Sequence, residues 1–169
     1  MLTTKINSRY SASFFATYNS PAGQITMLTD GESLIGLYFP TQLPSLRNRD
    51  TWSERYDGFD DVKRWLNHYY EGGMNCEAPR FRLRGTPFQL QVWNELLKIP
   101  FGDTRTYGQI AAAIGKPTAS RAVGKAIGDN PISIVVPCHR VIGRSGSLTG
   151  YAGGLEVKQW LLNHEQSCG

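Results

Sequence analysis

A thiol, an imidazole and a guanidinium stand side by side at Cys138, His139 and Arg140, directly after the apolar run Ile134-Val135-Val136-Pro137. A β-branched run of this kind reads as a buried strand. Pro137, which has no N–H to donate, ends its ladder and leaves Cys138 at the strand exit. A thiol attacks as thiolate, and a neighbouring His⁺ or Arg lowers its pKa from about 8.5. The local sequence supplies both neighbours. The competing reading is an inert core cysteine, because free Cys is among the most buried residue types. Geometry adds a condition: consecutive strand residues face opposite sides. Cys138 and His139 can cooperate only if the backbone turns at Pro137 or a water relays the proton.

The elements that must position this run fall into two halves. In the first, strand candidates Ser13–Tyr18, Gln24–Thr29 and Leu34–Phe39 are separated by Pro21-Ala22-Gly23 and Asp30-Gly31, which predicts an antiparallel meander. A helix over 59–70 carries Val62, Leu66 and Tyr69 with Trp65 and Tyr70 on one face and stops at Gly72-Gly73. Residues 41–50 read as loop and 76–84 as an extended connection. The domains are set at 1–80 and 81–169.

In the second half, Thr86-Pro87-Phe88-Gln89 has the form of a capping box opening a helix to about Lys98. A short helix from Tyr107 to Ile114, a turn at Gly115-Lys116-Pro117 and a third helix from Thr118 to Gly128 have helix-turn-helix spacing. In that third helix Ala119, Ala122, Val123, Ala126 and Ile127 form the predicted buried stripe, leaving Ser120, Arg121, Gly124, Lys125 and Gly128 outside. Glycine costs about 1 kcal/mol in a helix interior. An outward Gly124 beside Arg121 and Lys125 therefore suggests close approach of a nucleic-acid backbone, against the alternative of helix packing. Asp129-Asn130-Pro131 leads straight into the cysteine run. Beyond it lie the glycine-rich loop Gly150-Tyr151-Ala152-Gly153-Gly154, whose one large side chain could wall a pocket, and a last helix over 155–165 that packs Trp160 and Leu161 inward.

Composition narrows the function classes. The chain has 169 residues, 40% of them hydrophobic and 11% aromatic, enough for real cores. No stretch approaches the ~18 apolar residues of a membrane span, and the first nine residues have no apolar leader core, so the expected location is cytoplasmic. Three scattered cysteines exclude a disulfide framework or Cys-rich zinc site and suit a reducing compartment. Net charge is +4, but between Arg105 and Arg144 six cations face the single acid Asp129, a balance of +5 that would attract an anion.

Taken in order, Tyr107, Arg121-Ala122-Val123-Gly124, Asn130-Pro131, Pro137-Cys138-His139-Arg140, Gly150-Tyr151-Ala152-Gly153-Gly154 and Leu161-Leu162-Asn163-His164-Glu165 closely resemble the O6-alkylguanine-DNA alkyltransferase family, over residues 81–169. The resemblance implies a small α/β N-terminal domain, antiparallel sheet plus helix and RNase H-like, followed by a mainly α C-terminal domain with a helix-turn-helix and a short active-site strand. It implies a methylated-DNA–protein-cysteine methyltransferase that flips O6-alkylguanine out of duplex DNA, and also O4-alkylthymine. The alkyl group passes irreversibly to Cys138 in a single turnover.

Residue by residue, the resemblance makes Glu165 the orienter of His139, which draws the Cys138 proton through a water. Tyr107 donates toward guanine N3, Asn130 pins the turn before the cysteine run, and Val141, Tyr151, Ala152 and Gly153 line the pocket. Arg121 enters the space of the flipped base, with Lys116, Thr118, Ser120, Gly124 and Lys125 on the DNA-binding side. The implied partner is double-stranded DNA bearing the lesion, bound through the minor groove by a protein that is monomeric when free and can assemble cooperatively on DNA. No membrane partner and no cofactor are expected.

Two departures limit the transfer. Some members carry a hydroxyl residue after the pocket tyrosine where this chain has Ala152. Members with a structural zinc use a Cys/His set for which the first half offers only His68 and Cys76, so no metal is expected. The alternatives are a helix-turn-helix DNA-binding or lesion-sensing protein without alkyl transfer, against which Cys138 speaks, and a Cys-His hydrolase, which would need oxyanion donors and a distant histidine.

Overall fold

The sheet forms because short β-rich segments alternate with turns that glycine can make. In the computed structural model, which describes residues 13–46, 49–55, 57–73 and 76–169, β1 (Phe14–Ser20), β2 (Gly23–Thr29) and β3 (Leu34–Tyr38) run as an antiparallel meander. Gly23 (φ +124°) closes the tight β1–β2 hairpin in a conformation that other residues rarely adopt. A two-residue strand, β4 (Ser53–Glu54), adds parallel to β1, giving the order β3-β2-β1-β4. Residues 1–12, which include the nine expected to lack a leader core, lie outside the described residues, as do 47–48 within the expected 41–50 loop. The rest of that loop is more regular than expected: Pro40–Ser45 and Arg49–Thr51 are 3-10 turns. The connection 76–84 is extended as read and bonds to β3 through Leu34 N–H to Arg80 O and Arg82 N–H to Leu34 O, both 2.9 Å.

Helix α1 (Asp60–Tyr70) buries Val62, Leu66 and Tyr69 in the core, the face the periodicity predicts. In the second half, α2 (Pro87–Leu96) opens on the capping box of Thr86 and Gln89. Its Trp93 indole N–H donates to Ala126 O at 2.8 Å, tying it to α4 (Ser120–Gly128). Between them β5 (Arg105–Thr106) leads into α3 (Tyr107–Ala113), which starts on a second capping box, Thr106 with Gln109. Helix α4 starts two residues later than expected, and its buried stripe is narrower: Val123, Ala126 and Ile127 are buried, Ala119 is half-buried and Ala122 is exposed. Helix α5 (Leu155–Cys168) runs three residues past Glu165.

The run Ile132–Pro137 is not a strand. Only Ile132 makes a ladder contact, a parallel bridge to Leu37 of β3. The chain then coils through Ser133–Val136 with Ile134 at φ +69°, a region costly for a β-branched residue. The cause is Asn130, buried beneath the coil. Its Oδ1 accepts from Ile132 N–H at 3.0 Å, and its Nδ2 donates to Val136 O at 2.9 Å. These two bonds, together with the turn bonds Val136 N–H to Ile132 O and Cys138 N–H to Val136 O, satisfy the coil's backbone locally, so burial needs no ladder. The short strand of this region is β6 (Val141–Ile142), which follows the cysteine and pairs parallel with β5.

One apolar core runs through both halves, from Ile25, Met27 and Leu37 through Phe59 and Leu66 to Trp93, Ile132 and Leu161. Among the described residues no helix is long and apolar enough to cross a membrane.

Candidate active site

Cys138 opens a one-turn 3-10 helix, Cys138–Arg140, so the backbone does turn at Pro137. The turn sends the three adjacent side chains to different places. The Cys138 thiol, 4% exposed, accepts a hydrogen bond from Asn130 Nδ2 at 3.0 Å. Burial pushes its pKa up, while Asn130, the Tyr151 hydroxyl and the charge of Lys158 pull it down. The lowering expected from Arg140 does not operate there, because Arg140 turns away to Glu165.

His139 is fully buried and faces Glu165, with Nε2 2.7 Å from Oε1. Burial lowers its pKa, against the raising effect of Glu165. An ionised carboxylate only accepts, so the neutral ring carries its proton on Nε2 and leaves Nδ1 as a bare lone pair. Among the described residues Nδ1 has no hydrogen-bond partner. A buried, unpartnered imidazole nitrogen next in sequence to a thiol is the arrangement a base needs.

Five donors converge on Glu165. Oε1 accepts from His139, from Tyr69 Oη–H at 2.7 Å and from Arg140 Nη2 at 2.9 Å. Oε2 accepts from Arg140 Nε at 2.8 Å and Gly102 N–H at 3.0 Å. Burial alone would raise this carboxyl, but His139 and Arg140 outweigh it and hold Glu165 well below the usual carboxylate range. Arg140 is itself fixed by Ile99 O at 2.7 Å.

Tyr107, at the start of α3, is half-buried, and its hydroxyl donates to Thr149 O at 2.8 Å. Burial raises its pKa. Gly124 does not face outward as expected. It packs against this ring, where an added Cβ would lie 3.7 Å from Cδ1 and Cε1, so the close neighbour is an aromatic side chain. Tyr151 buries its hydroxyl against Cys138 and Ser133 without full hydrogen-bond geometry to either. Val141 and Gly153 are buried, whereas Ala152 is exposed and its carbonyl accepts from Thr41 Oγ1 at 2.8 Å.

The helix-turn-helix residues form a separate face. Lys116, Thr118, Arg121 and Lys125 are exposed and Ser120 is half-buried. Lys125 lies 3.3 Å from Asp129, and the Lys116 ammonium sits 5.4 Å from the Phe88 ring centroid. Sequence reasoning missed Lys158. Its ammonium is buried, donates to Val141 O at 2.5 Å and lies 6.0 Å from the ring centroids of Tyr107 and Tyr151. Burial lowers its pKa and Cys138 raises it. The signal was present: Lys158, Leu161, Leu162 and Glu165 fall on one helical stripe, which puts a lysine among core positions.

Two family models match the chain: "6-O-methylguanine DNA methyltransferase, ribonuclease-like domain" over residues 14–76 and "6-O-methylguanine DNA methyltransferase, DNA binding domain" over 87–167. A methylated-DNA–protein-cysteine methyltransferase of Methanosarcina acetivorans is 46% identical over 155 residues, covering 92% of this chain and 99% of the relative. One from Haemophilus influenzae is 37% identical over 156 residues, covering 92% and 87%. The crystal structure of Mycobacterium tuberculosis OGT in complex with DNA superposes with a TM-score of 0.84 at 44% identity, covering 92% of this chain and 94% of that one. With both halves matched and near-complete coverage of close relatives, this chain belongs to the 6-O-methylguanine DNA methyltransferase family.

Proposed function

We propose that the chain reverses O6-alkylguanine lesions in duplex DNA by moving the alkyl group irreversibly to Cys138. The observation that carries this reading is the His139 ring, next in sequence to the thiol and held by Glu165 through Nε2, with its buried Nδ1 unpartnered among the described residues. In the reaction the C–O6 bond of the lesion breaks and a C–S bond forms. The thiol proton passes through a bridging water to His139 and finally to the released guanine. Attack is at saturated carbon, so no acyl intermediate forms and no oxyanion hole is needed. The thioether has no path back, which makes the protein a single-use reagent.

Asn130 and Lys158 support the developing thiolate through a hydrogen bond and a charge. Tyr107 turns its hydroxyl toward N3 of the leaving base. The base reaches the thiol only outside the duplex. Arg121, exposed in the first turn of α4, fills the space it leaves, offsetting an unstacking cost of a few kcal/mol. Lys116, Thr118, Ser120 and Lys125 hold the backbone beside the minor groove, and Val141, Tyr151, Ala152 and Gly153 wall the pocket. O4-alkylthymine presents the same C–O bond to the same thiol, and several copies can assemble along one duplex. Residues 81–169 form the acceptor unit and 1–80 its support, working in the reducing cytoplasm.

Incubation with a duplex containing one O6-methylguanine, followed by intact and peptide mass spectrometry, tests the reading. One methyl group on Cys138, in one-to-one stoichiometry with restored guanine, is expected. Retained DNA binding with no adduct would instead mean a lesion-sensing protein, and repeated turnover would mean a hydrolase.

A further inference from the structure

From the first half of the chain, a tyrosine hydroxyl reaches the carboxylate that holds His139. Tyr69, in the last turn of α1, is 3% exposed and donates its hydroxyl to Glu165 Oε1 across 96 residues of sequence. The ring has little freedom. It stacks on Trp65 (centroids 5.6 Å apart, planes 19°) and meets Phe101 edge-on at 5.7 Å, while the Tyr69 carbonyl accepts from His164 Nε2 at 2.8 Å. No packing requirement explains the hydroxyl, because Phe would fill the same cage.

Oε1 is the oxygen that His139 uses, and it accepts from three donors while Oε2 accepts from two. A carboxylate offers about four lone-pair directions in all, so the donors on Oε1 compete. Each draws negative charge away from the bond to His139.

We propose that Tyr69 is a positioning residue of the alkyl-transfer centre, whose hydroxyl shares Glu165 Oε1 with His139 and so sets how strongly Glu165 supports a proton on that ring. The proposal rests on the alkyl-transfer reading and gives the N-terminal unit a chemical task. The groups facing the pair are Arg140 from the 3-10 turn, the Gly102 N–H from the turn after α2 and Lys158 on α5, with Tyr69, flanked by Tyr70 and by His164 of α5, as the contribution of α1. Tyr69→Phe leaves the other groups in place and returns charge to the His139 bond.

The test uses the full chain. Tyr69→Phe is expected to move the His139 ring titration, read by nitrogen NMR, to higher pH, and to move the acid limb of the single-turnover methyl-transfer profile with it. 3,5-Difluorotyrosine placed at position 69 alone strengthens the donor, is expected to shift both midpoints down, and serves if the Phe variant does not fold. Trp65→Phe, which disturbs the same aromatic cage without touching the hydroxyl, is expected to lower stability and move neither midpoint. Unmoved midpoints in both Tyr69 variants, or equal shifts in Trp65→Phe, would overturn the proposal. Failure of the wild type to gain a methyl group would remove the alkyl-transfer reading, while the ring titration still decides the role of Tyr69.

Discussion

Asn130 Nδ2 reaches the Cys138 sulfur at 3.0 Å while the same side chain closes the coil between them. One amide thus joins the bent backbone to the buried thiol. Asn130→Ala leaves Ile132 N–H buried without its acceptor, while Val136 O keeps Cys138 N–H at 2.8 Å, and one such orphaned group costs about 1–3 kcal/mol. Urea unfolding is expected to show a loss of that order or more, and methyl transfer to fall with it. Asn130→Asp keeps the acceptor but places a carboxylate beside the thiol, which disfavours thiolate. It is expected to slow transfer more than its stability loss explains; an unchanged rate in the Asp variant would remove the amide from thiol activation.

Glu165 makes stability depend on acid. Its folded pKa lies well below the unfolded value near 4.3, so the stability it contributes is present above pH ~4.3 and is lost as pH falls toward the folded value. His139, kept neutral by burial, acts in the same direction: below its unfolded pKa near 6.5 the unfolded chain binds the extra proton. Glu165→Gln breaks a buried ion pair and is expected to cost about 3–5 kcal/mol at pH 7. It is also expected to flatten the dependence of unfolding free energy on pH below about 4. Parallel wild-type and variant curves through that range would contradict the assignment.

Gly153 has no room for a methyl group. An added Cβ would lie 2.5 Å from Tyr151 Cε1 and 3.0 Å from Phe39 Cδ2, so Gly153→Ala must displace the ring that covers Cys138. Overpacking of this kind costs about 1–3 kcal/mol. A lower Tm together with a changed methyl-transfer rate is expected, measured by calorimetry and single-turnover kinetics. A rate equal to wild type would mean that Tyr151 does not shape the pocket.

Arg121 is exposed, and Arg121→Ala is expected to leave the unfolding free energy within about 0.5 kcal/mol of wild type. Repair of duplex DNA should slow far more than reaction with a free O6-alkylated base, because only the duplex has a space to fill. Equal slowing of both substrates would rule out the role in base extrusion.

Much of this was legible in the residues. The meander, α1 with its Val62-Leu66-Tyr69 face and the capping box at Thr86 are local signals, and each element formed within a few residues of its expected bounds. The pairing of His139 with Glu165, 26 residues apart, was legible through motif order. The geometry of the cysteine run was not, because Ile132–Pro137 carries a strand composition that Asn130 overrides with side-chain bonds to the backbone. The destination of Arg140 was equally hidden: adjacency to Cys138 suggested a partner for the thiol, whereas a 3-10 turn carries it to Glu165. Tyr69 looked like one more core aromatic, since periodicity reports which face is buried and says nothing of what a phenol on that face will meet.

The coil held by Asn130 keeps Ile134 in a left-handed conformation inside a packed core, a strain of roughly 1–3 kcal/mol. A catalyst that cycles must loosen its grip on the reacting group at every round to let product go. The single-use reagent proposed above has no second round to prepare for, so it can be built like a cocked mechanism, rigid around the sulfur.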